Sequence, residues 1–378
     1  MSQQLLQAKV DLGAIGRNID QLRACLQPGV RMLAAVKADA YGHGMLPVAH
    51  HALGCGVDML GVARLPEAVA LRRSGILAPI LIFGHTLAED ATELIRYRLA
   101  TAVSSKQAAA AYSRIARAHD GCITIHLKID TGMGRLGMLA APLQSGSNSA
   151  LDDILAIASM PGLEIEGIFT HFAQSDAADK SHARHQLEIF INLLENLKTA
   201  GLHIPIRHAA NSAATMEMPE SHLDMVRPGI AVYGLYPSDA IDRKRIRLVP
   251  AMTLAARITH IKQVPANFSI SYGSTYTTSA PAVIATIPVG YADGFSRAHS
   301  STGDALVNGR RAPIVGRVCM DQTMLDITGI DAEVGDEAVL FGQQAGETLS
   351  ADEVAGRIGT INYEVTAALT SRVARVYR

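Results

Sequence analysis

Lys37 ends an apolar run, residues 31–37 (RMLAAVK), and the chain then enters the polar, glycine-containing stretch ADAYGHG. An amine leaving such a run is partly desolvated, which lowers its pKa toward the range where it serves as nucleophile or base. A solvated loop lysine fits the same position, so position alone leaves both readings open. Other reactive side chains sit at comparable places: Lys128 and His171 near the ends of the runs 122–129 and 164–171, and Ser212 and Arg227 at the runs 204–209 and 224–229. Arg135, Tyr272 and Cys319 lie in glycine-containing or polar stretches. Each also has a purely structural counterpart. His171 suits a satisfied core histidine, Arg227 an internal salt bridge, Tyr272 a turn, Ser212 a helix N-cap, and Lys128 a pair with Asp130. Cys319 is a conceivable nucleophile, but a weak one to choose without an activating neighbour.

The elements that must position these residues are readable in outline. Eight short runs rich in Ile, Val and Leu (31–37, 58–63, 79–84, 99–104, 122–129, 164–171, 204–209 and 224–229) alternate with helical patterns such as 67–74, 106–118 and 182–199. That alternation predicts an α/β fold, a (β/α)8 barrel of the TIM type, whose working residues gather at the C-terminal strand ends. An open doubly wound sheet would call for a GxGxxG turn after the first strand, and none is present. After about residue 240 the runs 252–264, 282–289, 312–327 and 337–341 follow one another with a single helical pattern at 351–358, which predicts a mostly β domain. The expected division is therefore residues 1–242 and 243–378. The linker-like SGSNSA at 145–150 is expected to be a loop within the barrel.

Composition narrows the function classes. The chain has 378 residues, 48% of them hydrophobic, enough for two cores. A formal net charge of −1 gives no footprint for nucleic acid. The 14 histidines and four cysteines lack metal-ligand spacing, and no metal is expected. Neither a signal-peptide pattern nor an apolar run of membrane-spanning length occurs, so a soluble, cytoplasmic globular protein with no membrane association is expected.

The string AVKADAYGHG around Lys37 resembles the pyridoxal 5′-phosphate attachment motif of alanine racemases. Further strings similar to that family's motifs follow in order: HLKIDTGMGRLG at 126–137, THFAQSD at 170–176, RHAANSAA at 207–214 and MVRPGIAVYG at 225–234. SYGSTY at 271–276, PVGYADG at 288–294, GRVCMDQ at 316–322 and INYEV at 361–365 complete the set. Nine collinear strings over nearly the whole chain leave little room for coincidence. The resemblance implies the same barrel followed by a β domain.

It also implies roles. Lys37 would hold the cofactor as an internal Schiff base and, once released by the substrate amine, act as one of two opposed bases in racemising alanine on an external aldimine. Tyr272 would be the other base, helped by His171 and Arg227. Ser212, Gly229 and Ile230 would hold the cofactor phosphate, with Tyr41 and Tyr363 beside it. Arg227 matches the arginine that the family places opposite the pyridine nitrogen. A guanidinium does not give up its proton, so it only donates to an unprotonated ring nitrogen and leaves the ring a weaker electron sink. Arg135 and the Met320 amide would meet the substrate carboxylate, and Lys128 matches a lysine carbamylated in many members. Tyr291 and Tyr363 would narrow the entrance for a small amino acid. Since Tyr272 lies in the second domain, the resemblance further implies a homodimer with composite sites. Supply of D-alanine as a peptidoglycan precursor and its breakdown use the same chemistry.

Three rivals share parts of this pattern. A pyridoxal-dependent decarboxylase of basic amino acids would carry an acidic residue where Arg227 stands. A small pyridoxal-binding homeostasis protein would lack the second domain. A broad-specificity racemase is closer, but such forms tend to be exported.

Overall fold

The computed structural model describes residues 4–140 and 149–378, so the linker-like stretch at 145–150 lies mostly outside the described residues. The chain falls into two compact units, Ile15–Ala38 with Met45–Val249, and Met1–Ala14 with Asp39–Gly44 and Pro250–Arg378.

The first unit is the expected barrel. Eight parallel strands, Arg31–Ala35, Met59–Val62, Ile80–Ile82, Ala100–Val103, Ile123–Asp130, Leu163–Phe169, Ile206–His208 and Met225–Val226, neighbour one another in chain order, and the last returns to the first. Leu33 pairs with Met59, Leu60 with Ile80, Leu81 with Ala100 and Thr101 with Ile125. Between the seventh and eighth strands, single bonds nearly close the ring: Asp224 N–H donates to the Arg207 carbonyl at 3.0 Å and Arg227 N–H to the Ala210 carbonyl at 2.9 Å. These strands are apolar on both faces because helices cover the outside and side chains fill the inside. Leu33, Met59, Leu81, Ala100, Ile206 and Met225 form the buried interior layer, with Phe83 against it. Among the covering helices, Lys106–Ala118 starts where the Ser105 hydroxyl accepts the Ala108 N–H.

The second unit is mostly β, and the division expected at residue 242 differs in two places, the short segment Asp39–Gly44 and the N-terminal segment, which both group with this unit. The N-terminal strand Leu6–Val10 runs antiparallel to Met252–Arg257 and parallel to the C-terminal strand Ala374–Tyr377, so it belongs to this sheet rather than to the barrel. Met252–Arg257 continues to Glu337–Gln344, and a separate three-stranded sheet joins His260–Val264, Ala282–Ile287 and Thr323–Asp326. Beside the expected helix, seen at Ala351–Arg357, a second short one spans Asn362–Ala367.

Candidate active site

At the barrel's C-terminal rim, Lys37 follows the first strand. That strand's exit is held by Val36 N–H on the Gly61 carbonyl (2.8 Å), Ala35 N–H on the Pro228 carbonyl (3.0 Å) and the Tyr233 hydroxyl on the Ala35 carbonyl (2.8 Å). Burial pushes the Lys37 amine below its ordinary value, and the positive charge of Arg135 pushes it further, while Glu67 opposes both. Arg135 rides on a turn that Asp130 builds. One carboxylate oxygen accepts N–H groups of Gly132, Met133 and Gly134 at 2.9, 2.9 and 3.1 Å. Gly137 is required there, since a Cβ would lie 2.6 Å from the Asp130 nitrogen.

Lys128 is buried at the same rim, and its ammonium donates to the Ile129 carbonyl at 2.9 Å rather than serving as a simple partner of Asp130. Burial pushes its amine down to about 7, with Arg227 and Arg135 adding to the effect and Asp130 opposing it. The unfolded chain, with an ordinary value of 10.5, binds the extra proton between these limits. This group therefore makes stability rise as pH increases from about 7 toward the unfolded value. Lys128→Met is expected to flatten that rise, as read by urea denaturation at neutral and alkaline pH. An unchanged pH dependence would contradict the assignment.

Arg227 is the hub. Its guanidinium is buried and donates to the Thr170 carbonyl (2.8 Å), the Ala209 carbonyl (3.1 Å), His208 Nδ1 (3.0 Å) and His171 Nδ1 (3.4 Å). Burial lowers it to about 9, still protonated at neutral pH. His208 and His171 are held well below their usual value by burial first and by the Arg227 charge second. Both rings are therefore neutral acceptors at Nδ1 and carry their proton on Nε2. From His208 the polarity runs onward: Nε2–H donates to His126 Nδ1 at 2.8 Å, and His126 Nε2–H donates to Glu166 at 2.8 Å. Glu166 is kept ionised chiefly by that bond. The carboxylate thus stands two imidazoles away from the guanidinium. Sequence reasoning missed His208, His126 and Glu166. The available signal was three polar residues inside otherwise apolar strand runs, His126 lying two positions from Lys128.

Ser212 joins the last two strand loops. Its buried Oγ accepts Gly229 N–H at 2.8 Å and Ala231 N–H at 3.3 Å, so its own O–H remains the donor. It does not cap its helix. Asn211 does, through the Ala214 N–H at 3.1 Å, and Ser212 opens the helix Ser212–Glu217. Ile230, buried, begins the turn that follows Gly229.

These groups fit an anionic cofactor. Arg227, Arg135, Lys128 and Lys37 all press on His171 as positive charges. The first-turn amides of a helix lack acceptors within the helix and suit a phosphate.

The second unit carries the remaining candidates. Ala38, Asp39, Ala40 and Tyr41 have φ of 53°, 53°, 54° and 53°, a left-handed turn built without glycine, and only Ala38 among them groups with the barrel unit. Such residues cost about 1–2 kcal/mol each in this conformation. Asp39 to Gly44 are held by Gly44 N–H on the Asp39 carbonyl (2.8 Å) and by Arg375 Nε on the Gly42 carbonyl (3.0 Å). Gly42 is obligatory, because a Cβ would lie 2.0 Å from the Thr366 oxygen. Tyr41 lies 6.1 Å, ring to ring, from Tyr363, and burial pushes its phenol up to about 12, so it acts as a hydroxyl.

Tyr272 sits in the turn Tyr272–Ser274 and is 70% exposed. The Ser271 hydroxyl donates to the Arg317 carbonyl at 2.7 Å, bringing this turn to the segment that carries Cys319 and Met320. That segment in turn accepts Tyr291 N–H on the Cys319 carbonyl and Ala292 N–H on the Met320 carbonyl, each at 3.1 Å. Gly290 permits the approach, since a Cβ would lie 2.2 Å from the Cys319 oxygen. Arg372 pairs with Asp293 (3.1 Å) and Asp321 (2.6 Å) across the same two segments. Tyr272, Met320 and Tyr291 are thus neighbours on exposed loops of one unit. Cys319 Sγ donates to the Arg317 carbonyl at 3.5 Å and meets the Ser271 hydroxyl at 3.5 Å, structural contacts that include no activating base among the described residues.

Comparison with known proteins places the whole chain in one family. Residues 10–237 match the family model "Alanine racemase, N-terminal domain", and residues 251–377 match "Alanine racemase, C-terminal domain". The alanine racemase of Desulfosudis oleivorans is 50% identical over 98% of this chain and 96% of its own, and that of Methanococcus maripaludis 43% identical over 98% of each. Among solved structures, alanine racemase of Clostridium difficile 630 superposes with a TM-score of 0.94 at 38% identity, covering 100% of this chain and 97% of that one. The Bacillus anthracis enzyme with bound L-Ala-P gives a TM-score of 0.91 at 37% identity, with coverage of 100% and 96%. With both halves matched and relatives alike end to end, the chain belongs to the alanine racemase family of amino-acid isomerases.

Proposed function

We propose that the protein interconverts L- and D-alanine with pyridoxal 5′-phosphate held on Lys37, using Lys37 and Tyr272 as bases on opposite faces of the substrate Cα. The observation that carries this reading is Arg227: a buried guanidinium donating to neutral His208, with the nearest carboxylate of that chain, Glu166, beyond a second imidazole. The bound L-Ala-P of the Bacillus anthracis relative supports alanine as the substrate. When bound, the cofactor would draw charge away from Cα, and Arg227 would keep that draw modest.

The residues divide the remaining work. The Ser212 hydroxyl, the Gly229–Ile230 turn and the Tyr41 and Tyr363 hydroxyls would hold the phosphate. Arg135 and the Met320 amide orient the substrate carboxylate, so that Cα stands between the two bases. A carbamate on Lys128, whose amine is substantially neutral near pH 7, would fix Arg135 by a charge-assisted bond. Lys37 removes or returns the proton on one face. On the other face Tyr272 does so, with His171 and Arg227 behind it. Tyr291 and Tyr363 narrow the approach to a side chain no larger than a methyl group.

The exposure of Tyr272, Met320 and Tyr291 supports a homodimer in which one subunit's loops complete the other's barrel mouth. Mixing Lys37→Ala and Tyr272→Ala subunits is then expected to restore up to about a quarter of wild-type activity, through heterodimers with one intact site. No recovery despite demonstrated subunit exchange would contradict the composite site. We place the enzyme in the cytoplasm, supplying D-alanine for peptidoglycan. A substrate panel of alanine, serine and ornithine tests the whole reading: racemised alanine by a yellow protein supports it, and CO2 from ornithine overturns it.

A further inference from the structure

We propose that Glu67 is the positioning residue of Lys37: its carboxylate ties the residue after the lysine to the end of the neighbouring barrel strand and so sets the direction in which Lys37 leaves the barrel. The inference rests on the reading of Lys37 as the cofactor lysine and adds to it a residue outside every motif quoted above. Glu67 lies in the helix Leu65–Arg73, which follows the second barrel strand. One carboxylate oxygen accepts Ala63 N–H at 2.8 Å and Arg64 N–H at 2.9 Å, which is ordinary capping of that helix. The other oxygen accepts the Ala38 N–H at 2.7 Å. Capping needs one oxygen; the second bond crosses to another strand's exit and reaches the first residue with positive φ in the left-handed turn.

A run of left-handed residues persists only when its surroundings over-determine it. At the Lys37 end, the Glu67 bond is a charge-assisted acceptor for the amide that starts the turn. Its negative charge also acts on the Lys37 amine against burial and Arg135. One group thus sets where the amine points and also moderates the lowering of its proton affinity by burial and Arg135.

Glu67→Gln separates this role from capping. Glutamine in the same place keeps one acceptor oxygen for Ala63 and Arg64, but turns an NH2 toward the Ala38 N–H, donor against donor. In the holoenzyme, Glu67→Gln is expected to leave the melting temperature nearly unchanged and to raise hydrogen exchange at the Ala38 amide at least about tenfold. It should lower kcat about tenfold with little change in KM, as loss of alignment does. The limb of the pH profile that reports Lys37 should move to lower pH, because a negative charge has gone. Glu67→Ala is expected to show the same changes together with a lower melting temperature. Ala38 exchange and kcat both within about twofold of wild type in Glu67→Gln, or a kcat loss with an unmoved limb, would overturn the proposal. Failure of the underlying reading looks different: borohydride would then fix no cofactor on Lys37 in the wild-type protein.

Discussion

Lys37→Ala is expected to lower racemisation of alanine in both directions by about a thousandfold or more, since in the proposed function it removes both the cofactor's tether and one base. The structure gives the loss a physical basis. Burial and Arg135 already hold the Lys37 amine below its ordinary value, which makes it a readier base than a solvated lysine. A small primary amine added to the solution should recover part of the rate, because it can stand in for the missing amine. The paired experiment is Tyr272→Phe, which keeps the ring and removes only the hydroxyl. In deuterated water each variant retains one base and should exchange the α-hydrogen of one alanine enantiomer only. The enantiomer that still exchanges in Tyr272→Phe should be the one that no longer exchanges in the amine-free Lys37→Ala. If both variants lose exchange for both enantiomers equally, one base serves both faces and the opposed pair is wrong. Single-turnover exchange followed by chiral chromatography reads this directly.

Most of the barrel was legible because a strand buried on both faces reads as a continuous Ile/Val/Leu run. Each of the eight runs contains an observed strand or overlaps nearly all of one. What the sequence could not supply was pairing between distant elements. Leu6–Val10 is not one of those runs, its ladders are with Met252–Arg257 and Ala374–Tyr377, and nothing local to LQAKV names those partners. The left-handed turn was equally hidden. Ala38, Asp39, Ala40 and Tyr41 are not glycine, and no glycine in the run announces the positive φ; the hydrogen bonds from Ala38 to Glu67 and from Arg375 to Gly42 brace the turn from outside, beside its own Gly44–Asp39 bond. At the site, Lys37, Lys128 and His171 could be picked out as strand-end residues. The His208, His126 and Glu166 chain could not, because its meaning depends on which strand faces turn toward one another inside a closed ring.

That chain decides what Arg227→Glu should do. The wild-type guanidinium gives hydrogen bonds to two carbonyls and two neutral imidazoles, and a glutamate can supply none of them. Losing preorganised donors in a buried site costs on the order of a hundredfold or more in rate, and racemisation should fall accordingly. The protonation pattern should reverse as well. A carboxylate beside His208 and His171 favours their charged forms, where burial first and the Arg227 charge second now keep both neutral. A carboxylate would also favour a protonated ring nitrogen on the cofactor, giving a stronger electron sink and a longer-lived carbanion that is more often protonated at the wrong carbon. The ratio of keto acid to racemised alanine is therefore expected to rise at least about tenfold in Arg227→Glu, while Arg227→Lys, which keeps a positive charge but not the fork, should lose rate without that rise. Coupled assays for pyruvate and D-alanine on the same samples measure both. Unchanged fidelity in Arg227→Glu would mean that the guanidinium serves only to hold Thr170, Ala209 and the imidazoles in place, and that reaction specificity is set elsewhere in the barrel mouth.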